Sequence, residues 1–436
     1  MTSSSRLDRR SRTAAAPNPA DAEGMAPPSR LRIALVLGAL IALGPLTIDM
    51  YLPALPTITA ELETTQAAVQ LTLTGTLIGL AAGQLLLGPL SDAFGRRRPL
   101  LIGTALHVLA SIAIVVAPNV PVLGVLRVLQ GLGAAAGAVI ALAVVRDLFT
   151  GRPAATLLSR LFLVMGVAPV LAPTLGGELL RITSWRGVFV VLALYGAVLV
   201  PIVWRSLPET LPPSRRSRPG VRTTLSTYKG LLHDRAFVGL VLVAGLAMAG
   251  LFSYVSGATF VYQDQYGLDE QQFGILFGAG AVFLIAATQL NALLLRRFEP
   301  RRILVAAIGA GTVAAFVLLA LALVGTGLVG VVIPMCAVLF ACGLALPNAP
   351  ALALSRHGRN AGTAAALLGA VQFGVGALVS PLVGLLGNDA VALGLSVSGA
   401  LVLACIVLAA VVRPWSLGDV DAPDPADATA PAAGQA

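Results

Sequence analysis

Twelve apolar stretches, each of roughly 20 residues, follow one another along the chain with only short polar breaks between them. At about 1.5 Å per helical residue, each is long enough to cross the roughly 30 Å of hydrocarbon in a bilayer. Their approximate limits are 33–55, 68–90, 99–117, 121–145, 156–179, 186–206, 236–259, 272–295, 302–325, 328–351, 361–386 and 390–412. Only 11% of the 436 residues are charged and 57% are apolar, which is too much apolar surface for globular cores to bury. The fold class expected is therefore an all-α integral membrane protein of twelve transmembrane helices. A net charge of +9 invites a nucleic-acid reading. The arginines argue against it, because they are scattered over short loops and form no basic domain. Cys336, Cys342 and Cys405 all lie inside apolar stretches and read as packing residues, with no disulfide or metal role.

The basic residues also set the orientation. With the N-terminus inside, all of the 29 basic residues but Arg127, Arg181 and Arg186 fall on cytoplasmic segments. The outer loops 56–67 and 260–271 carry only acidic charges. Both termini are thus expected in the cytoplasm. Residues 1–30 and 414–436 read as disordered tails, rich in Ala, Pro and Ser or Asp. Residues 207–235, rich in Pro, Arg and Ser, read as a cytoplasmic linker between an N-terminal bundle at 31–206 and a C-terminal bundle at 236–413. The basic start followed by an apolar run is too long, and lacks the cleavage pattern, for a signal peptide.

The loop after the second stretch is Gly88-Pro-Leu-Ser-Asp92-Ala-Phe-Gly95-Arg96-Arg97-Arg98. Small residues allow a tight reversal, and the arginines hold it on the cytoplasmic face. It resembles the motif G-x-L-x-D-R-x-G-R-R between spans 2 and 3 of the major facilitator superfamily. Gly88, Leu90, Asp92, Gly95, Arg96 and Arg97 match, whereas Ala93 replaces the usual basic residue. A weak echo lies in the second half, where Leu294-Leu-Arg-Arg-Phe298 through Arg301-Arg302 overlays Leu90-Ser-Asp-Ala-Phe94 through Arg97-Arg98. Such a parallel repeat is what two six-helix bundles would show.

Two charges lie well inside the apolar stretches. Asp49 is the acidic one, just ahead of Pro53 and Pro56. It is either a functional carboxylate facing a cavity or an aspartate at a frayed outer helix end. Arg127 is the basic one, in Arg127-Val-Leu-Gln130-Gly131-Leu-Gly133. It shares a helix face with Gln130. This resembles the span-4 motif R-x-x-Q-G-x-G of the superfamily; the other reading is a structural arginine capping carbonyls. Counting residues from the outer helix ends puts Asp49 and Arg127 in one layer, roughly 10 Å below the outer end. A carboxylate whose arginine contact changes between two states changes its proton affinity, as proton coupling requires. Direct pairing of the two is a hypothesis from depth alone. In span 5, Pro173, Gly176 and Gly177 match the G-P-x-x-G-G motif of antiporters, with Ala172 in place of its first glycine. Proline bends that helix and the glycines let a neighbour close on it.

Asp92, Arg96 and Asp147 are expected by resemblance to form a cytoplasmic gate, with Gly88, Gly95 and Arg97 shaping it; a solvated surface cluster is the alternative. Candidate walls of a substrate cavity are Tyr51, Gln130, Phe252, Tyr254, Asn348, Gln372 and Phe373, each of which is equally open to a pure packing role. His107 reads as a helix-contact residue.

Together with Asp49-Met-Tyr-Leu-Pro-Ala-Leu-Pro56, these features resemble the Bcr/CflA-type drug:proton antiporters. The resemblance implies alternating access by a monomer in the bacterial inner membrane, with proton entry driving efflux of small amphipathic drugs. Asp49 would be the proton-coupling carboxylate and Arg127 its modulator. One carboxylate and one arginine suit neutral or weakly charged substrates. The expected partners are a small-molecule substrate, protons and the lipid bilayer, with no nucleic acid, no cofactor and no metal. No nucleophile–histidine pair or phosphate-binding loop suggests an enzyme or an ATP-driven pump. A metabolite exporter, for an amino acid or short peptide, and an uptake symporter remain open.

Overall fold

The computed structural model describes residues 30–216, 221–355, 357 and 361–416. Hydrocarbon offers no partner to a peptide group, so an apolar stretch satisfies its backbone internally and becomes a helix. Twelve such helices cross: Leu31–Glu61, Gln66–Phe94, Arg97–Val115, Val120–Leu148, Thr156–Leu180, Trp185–Ser206, Arg235–Gln265, Glu270–Leu294, Pro300–Val324, Gly327–Leu354, Gly362–Leu385 and Ala390–Val412. They are spans 1 to 12 below, and they form two six-helix bundles. The expected tails at 1–30 and 414–436 lie outside the described residues but for their innermost positions.

Spans 1 and 7 run furthest past their expected ends. Span 1 was expected to end at Leu55, because prolines at 53 and 56 stop a helix. Instead the first helical segment ends at Asp49, and both prolines open new segments, a 3-10 turn at Leu52–Ala54 and a helix at Leu55–Glu61. Proline fits there because the first turn of a helix needs no N–H from it. Span 7 continues through a π-turn at Val261–Gln265. The linker is also more ordered than expected, since it holds a helix at Val221–His233. Asp234 then caps span 7, its Oδ1 accepting from the amides of Ala236 and Phe237, while its Oδ2 lies 3.1 Å from His357 Nε2.

Within the N-terminal bundle, spans 2 and 4 approach backbone to backbone. A Cβ on Gly79 would collide with the Val128 carbonyl, and one on Gly131 with the Thr76 carbonyl. Between the bundles, span 2 packs on span 11 and span 5 on span 8. Gly79→Ala is expected to destabilise the protein by about 1–3 kcal/mol through overpacking. It should lower the thermal midpoint in detergent. Gly399→Ala, where no atom lies within 4 Å of the added methyl, should leave that midpoint unchanged.

Candidate functional site

The break in span 1 presents Asp49. Pro53 has no N–H to offer the Asp49 carbonyl, so the helix ends there and Met50 and Tyr51 turn the chain. Gly176 of span 5 sits directly against the Met50 carbonyl, and any side chain at 176 would displace it. Asp49 is 5% exposed and its carboxylate has no hydrogen bond or ion pair among the described residues. The observed span 1 runs on to Glu61, so Pro56 does not mark its outer end.

Arg127 is fully buried. Its Nη1 donates to the Thr47 carbonyl at 3.0 Å and to Gln130 Oε1 at 2.7 Å. Gln130 Nε2 donates to Ser111 Oγ at 2.8 Å. The guanidinium lies 4.0 Å from the centre of the Tyr51 ring and 5.6 Å from that of Phe189. Thr47 Oγ1 gives its proton to the Leu43 carbonyl at 2.6 Å, so at 2.9 Å it accepts from His107 Nε2. Arg127 Nε and Nη2 are without partners. Asp49 and Arg127 thus make no direct pair here, although Thr47, two residues before Asp49, is held by that arginine.

The cavity candidates fall into two groups. Tyr51 and Gln130 belong to the arginine network and are fully buried. Tyr254 is stacked on Phe277 at 4.8 Å, and Asn348 Nδ2 donates to Asn291 Oδ1 at 2.6 Å. These four are packed or hydrogen-bonded. Phe252 packs on Phe373, with ring centres 6.2 Å apart, and Phe373 and Gln372 are only half-buried.

At the end of the molecule opposite the linker, hydrogen bonds join the two bundles. Gln70 Nε2 donates to the Ser256 carbonyl at 3.0 Å and to Asn388 Oδ1 at 2.7 Å. Asn388 Nδ2 donates to Gln66 Oε1 at 2.8 Å, and Gln66 Nε2 to Asp264 at 2.6 Å. Gln263 Nε2 donates to the Pro53 carbonyl at 3.1 Å. Thr174 Oγ1 donates to the Gly274 carbonyl at 3.1 Å. Gly177 packs on the Glu270 carbonyl, and Gly274 against Pro173. The Pro173, Gly176 and Gly177 motif therefore lies at the seam of spans 1, 5 and 8. This amide latch has no sequence signature beyond polar residues near helix ends.

At the linker end, Arg96 gathers the expected gate residues. Its Nε donates to Asp147 Oδ2 at 2.8 Å and its Nη1 to Ser91 Oγ at 2.7 Å and to Asp92. Burial alone would lower the Arg96 pKa; the bonds to Asp147 and Asp92, with their charges, outweigh it and hold it above the ordinary value. Glu209 of the linker joins the cluster. It accepts from the amides of Arg96 at 2.8 Å and Arg97 at 3.3 Å, at the start of span 3, where a negative charge is favoured. Gly95 has φ +91, and a Cβ there would strike Glu209. Arg97 also donates to the Trp204 carbonyl. Thr210 Oγ1 donates to Asp147 at 3.1 Å. Among the described residues, the polar contacts of Asp92, Arg96, Arg97 and Asp147 all stay within the N-terminal half and the linker. Asp92 keeps 48% of its side chain exposed, and Gly88 has open space around it.

A bundle pair with a break-presented carboxylate, sealed at one end, is the architecture of a transporter. Residues 37–381 match the Major Facilitator Superfamily, and the chain belongs to that family. It is 40% identical to the uncharacterized MFS-type transporter YdgK of Bacillus subtilis, over 84% of this chain and 91% of the relative. It is 31% identical to the bicyclomycin resistance protein homolog of Haemophilus influenzae, over 86% of this chain and 93% of the relative. Its fold is similar to that of the xylose transporter XylE from E. coli, with a TM-score of 0.68 and 15% identity, over 87% of this chain and 97% of that one. With twelve spans and bacterial relatives, it is a multi-pass protein of the bacterial inner membrane.

Two outcomes follow from the two ends. Removing the latch amides in Gln70→Ala deletes two cross-bundle hydrogen bonds, at about 1 kcal/mol each. Alkylation of a cysteine placed at the buried Thr259, with the native cysteines replaced, should then speed up about thirtyfold. Glu209→Ala should release the linker, so that limited proteolysis cuts near residues 207–216 several-fold faster while the spans stay intact.

Proposed function

We propose that this transporter exports small amphipathic drugs, neutral or weakly charged, in exchange for protons. The reading rests on Asp49, a buried carboxylate without a partner at the break in span 1, beside the seam of the two bundles. Such a group binds and releases a proton as its surroundings change between two states. The relative named for bicyclomycin resistance supports a drug as the cargo and outward as its direction. Arg127 modulates the site through Thr47, its charge spread over a carbonyl, an amide and two rings. Phe252, Gln372 and Phe373 would wall the substrate path, and one carboxylate with one arginine leaves little net charge for a dication.

The arginine-rich linker end is assigned to the cytoplasm. With the latch closed at the other end, the arrangement corresponds to the inward-facing stage of the cycle. In the outward-facing stage, the Asp92–Arg96–Asp147 cluster would meet the C-terminal half and act as the gate. The protein works as a monomer and performs no chemistry on its cargo.

Everted membrane vesicles loaded with a pH-sensitive dye test this. Drug-triggered proton release by the wild type, abolished in Asp49→Asn at equal expression, is the expected result. An equal response from Asp49→Asn would move the proton site elsewhere. Silence of folded wild type across a panel of drugs would favour a metabolite exporter or an uptake symporter.

A further inference from the structure

The lipid-facing side of spans 8, 9 and 10 carries a recess of about 1100 Å³ that the transport cycle described above does not use. It exists because the facing positions are small: Ala279, Ala306, Ala310 and Ala337 are exposed at its floor, where other lipid-facing positions carry Leu, Ile or Phe. Phe283 and Phe340 wall it. Its one charged lining residue is Arg302, at the linker end. The recess opens at Arg302 on the linker side and runs about 12 Å along span 9 to Ala310.

We propose that this recess binds an anionic phospholipid of the linker-side leaflet, with its phosphate at Arg302 and an acyl chain on the alanine floor. Charge argues for the headgroup. The loop Arg296-Arg297-Phe298-Glu299-Pro300-Arg301-Arg302 holds four arginines and one glutamate. Glu299 lies 2.5 Å from Arg301 and 4.0 Å from Arg302, and the Arg302 side chain stays 65% exposed, within reach of a phosphate. The basic loop argues for a lipid over a second copy of the chain. A two-fold partner seated here would bring a second set of the same arginines to the interface, whereas a lipid phosphate offsets them.

Native mass spectrometry of the intact protein, released from mixed micelles holding equal phosphatidylglycerol and phosphatidylethanolamine, tests the site. Wild type should retain phosphatidylglycerol preferentially. Arg302→Gln should lower that retention about fivefold, the effect of one interfacial arginine on an anionic lipid. Ala337→Phe should abolish the retention by filling the floor; position 337 is exposed, so the ring displaces no packed atom. Arg98→Gln, which removes the matching arginine of the other half, should leave it unchanged. Equal retention of both lipids, or wild-type retention in Arg302→Gln and Ala337→Phe, would overturn the proposal. So would a dimer that Ala337→Phe dissolves, since the recess would then seat a second copy. None of these readings depends on transport, so they stand or fall apart from the proposed antiport.

Discussion

A guanidinium held in hydrocarbon is the interaction on which the N-terminal bundle turns. An unpaired charge at that depth is costly, so Arg127 must draw its surroundings inward. It takes the Thr47 carbonyl, the Gln130 amide and the faces of Tyr51 and Phe189, which belong to spans 1, 4 and 6. Spreading one positive charge over dipoles and ring quadrupoles stabilises it without a counter-ion. That leaves Asp49 unpaired with the arginine. A salt bridge there would tie the carboxylate in its ionised form, whereas an unpaired carboxylate can take a proton. The arginine positions the residues before the break, and the break presents the acid.

The two ends of the molecule are fastened by different physics. At the end away from the linker, amides and carbonyls hold the bundles together, with Asp264 as the only carboxylate among the cross-bundle bonds named above. At the linker end, charges are clustered around Arg96 but are turned inward on one half and its strap. Glu209 closes the first turn of span 3 and Asp147 shares Arg96 with Asp92. In the proposed cycle, an ionic cluster assembled in advance on one half would meet the other half already oriented. Pre-organisation of this kind lowers the cost of closing that end.

The sequence was legible where one physical rule dominates. Twelve apolar runs gave twelve helices, because backbone satisfaction in lipid admits little else. It was misleading where proline carries two meanings, as at Pro53 and Pro56, which end one helical segment and begin the next. The helix at Val221–His233 was hidden by its polar composition and by a single apolar face. Glu209 was overlooked as one acid in a proline-rich strap, although three arginines at Arg96, Arg97 and Arg98 left room for an anionic partner nearby. Depth counting placed Asp49 and Arg127 near one layer, but it carries no information on helix rotation. Rotation decides that Arg127 faces Thr47 and Tyr51 rather than the carboxylate.

Magnitudes connect the latch to the site it covers. Six cross-bundle hydrogen bonds are formed by Gln70, Asn388, Gln66, Gln263 and Thr174. At about 1 kcal/mol net for each, they favour the closed arrangement by roughly 6 kcal/mol. Swinging a two-state equilibrium from one side to the other takes about 5.5 kcal/mol of differential binding. The latch is therefore strong enough to hold one state and weak enough for ligands to reverse it. A proton on Asp49 lies well placed to contribute, since that residue adjoins the Met50 carbonyl on which Gly176 of the seam is packed. In the proposed cycle, opening the latch would separate span 5 from span 8 and change what surrounds the carboxylate, as proton exchange requires.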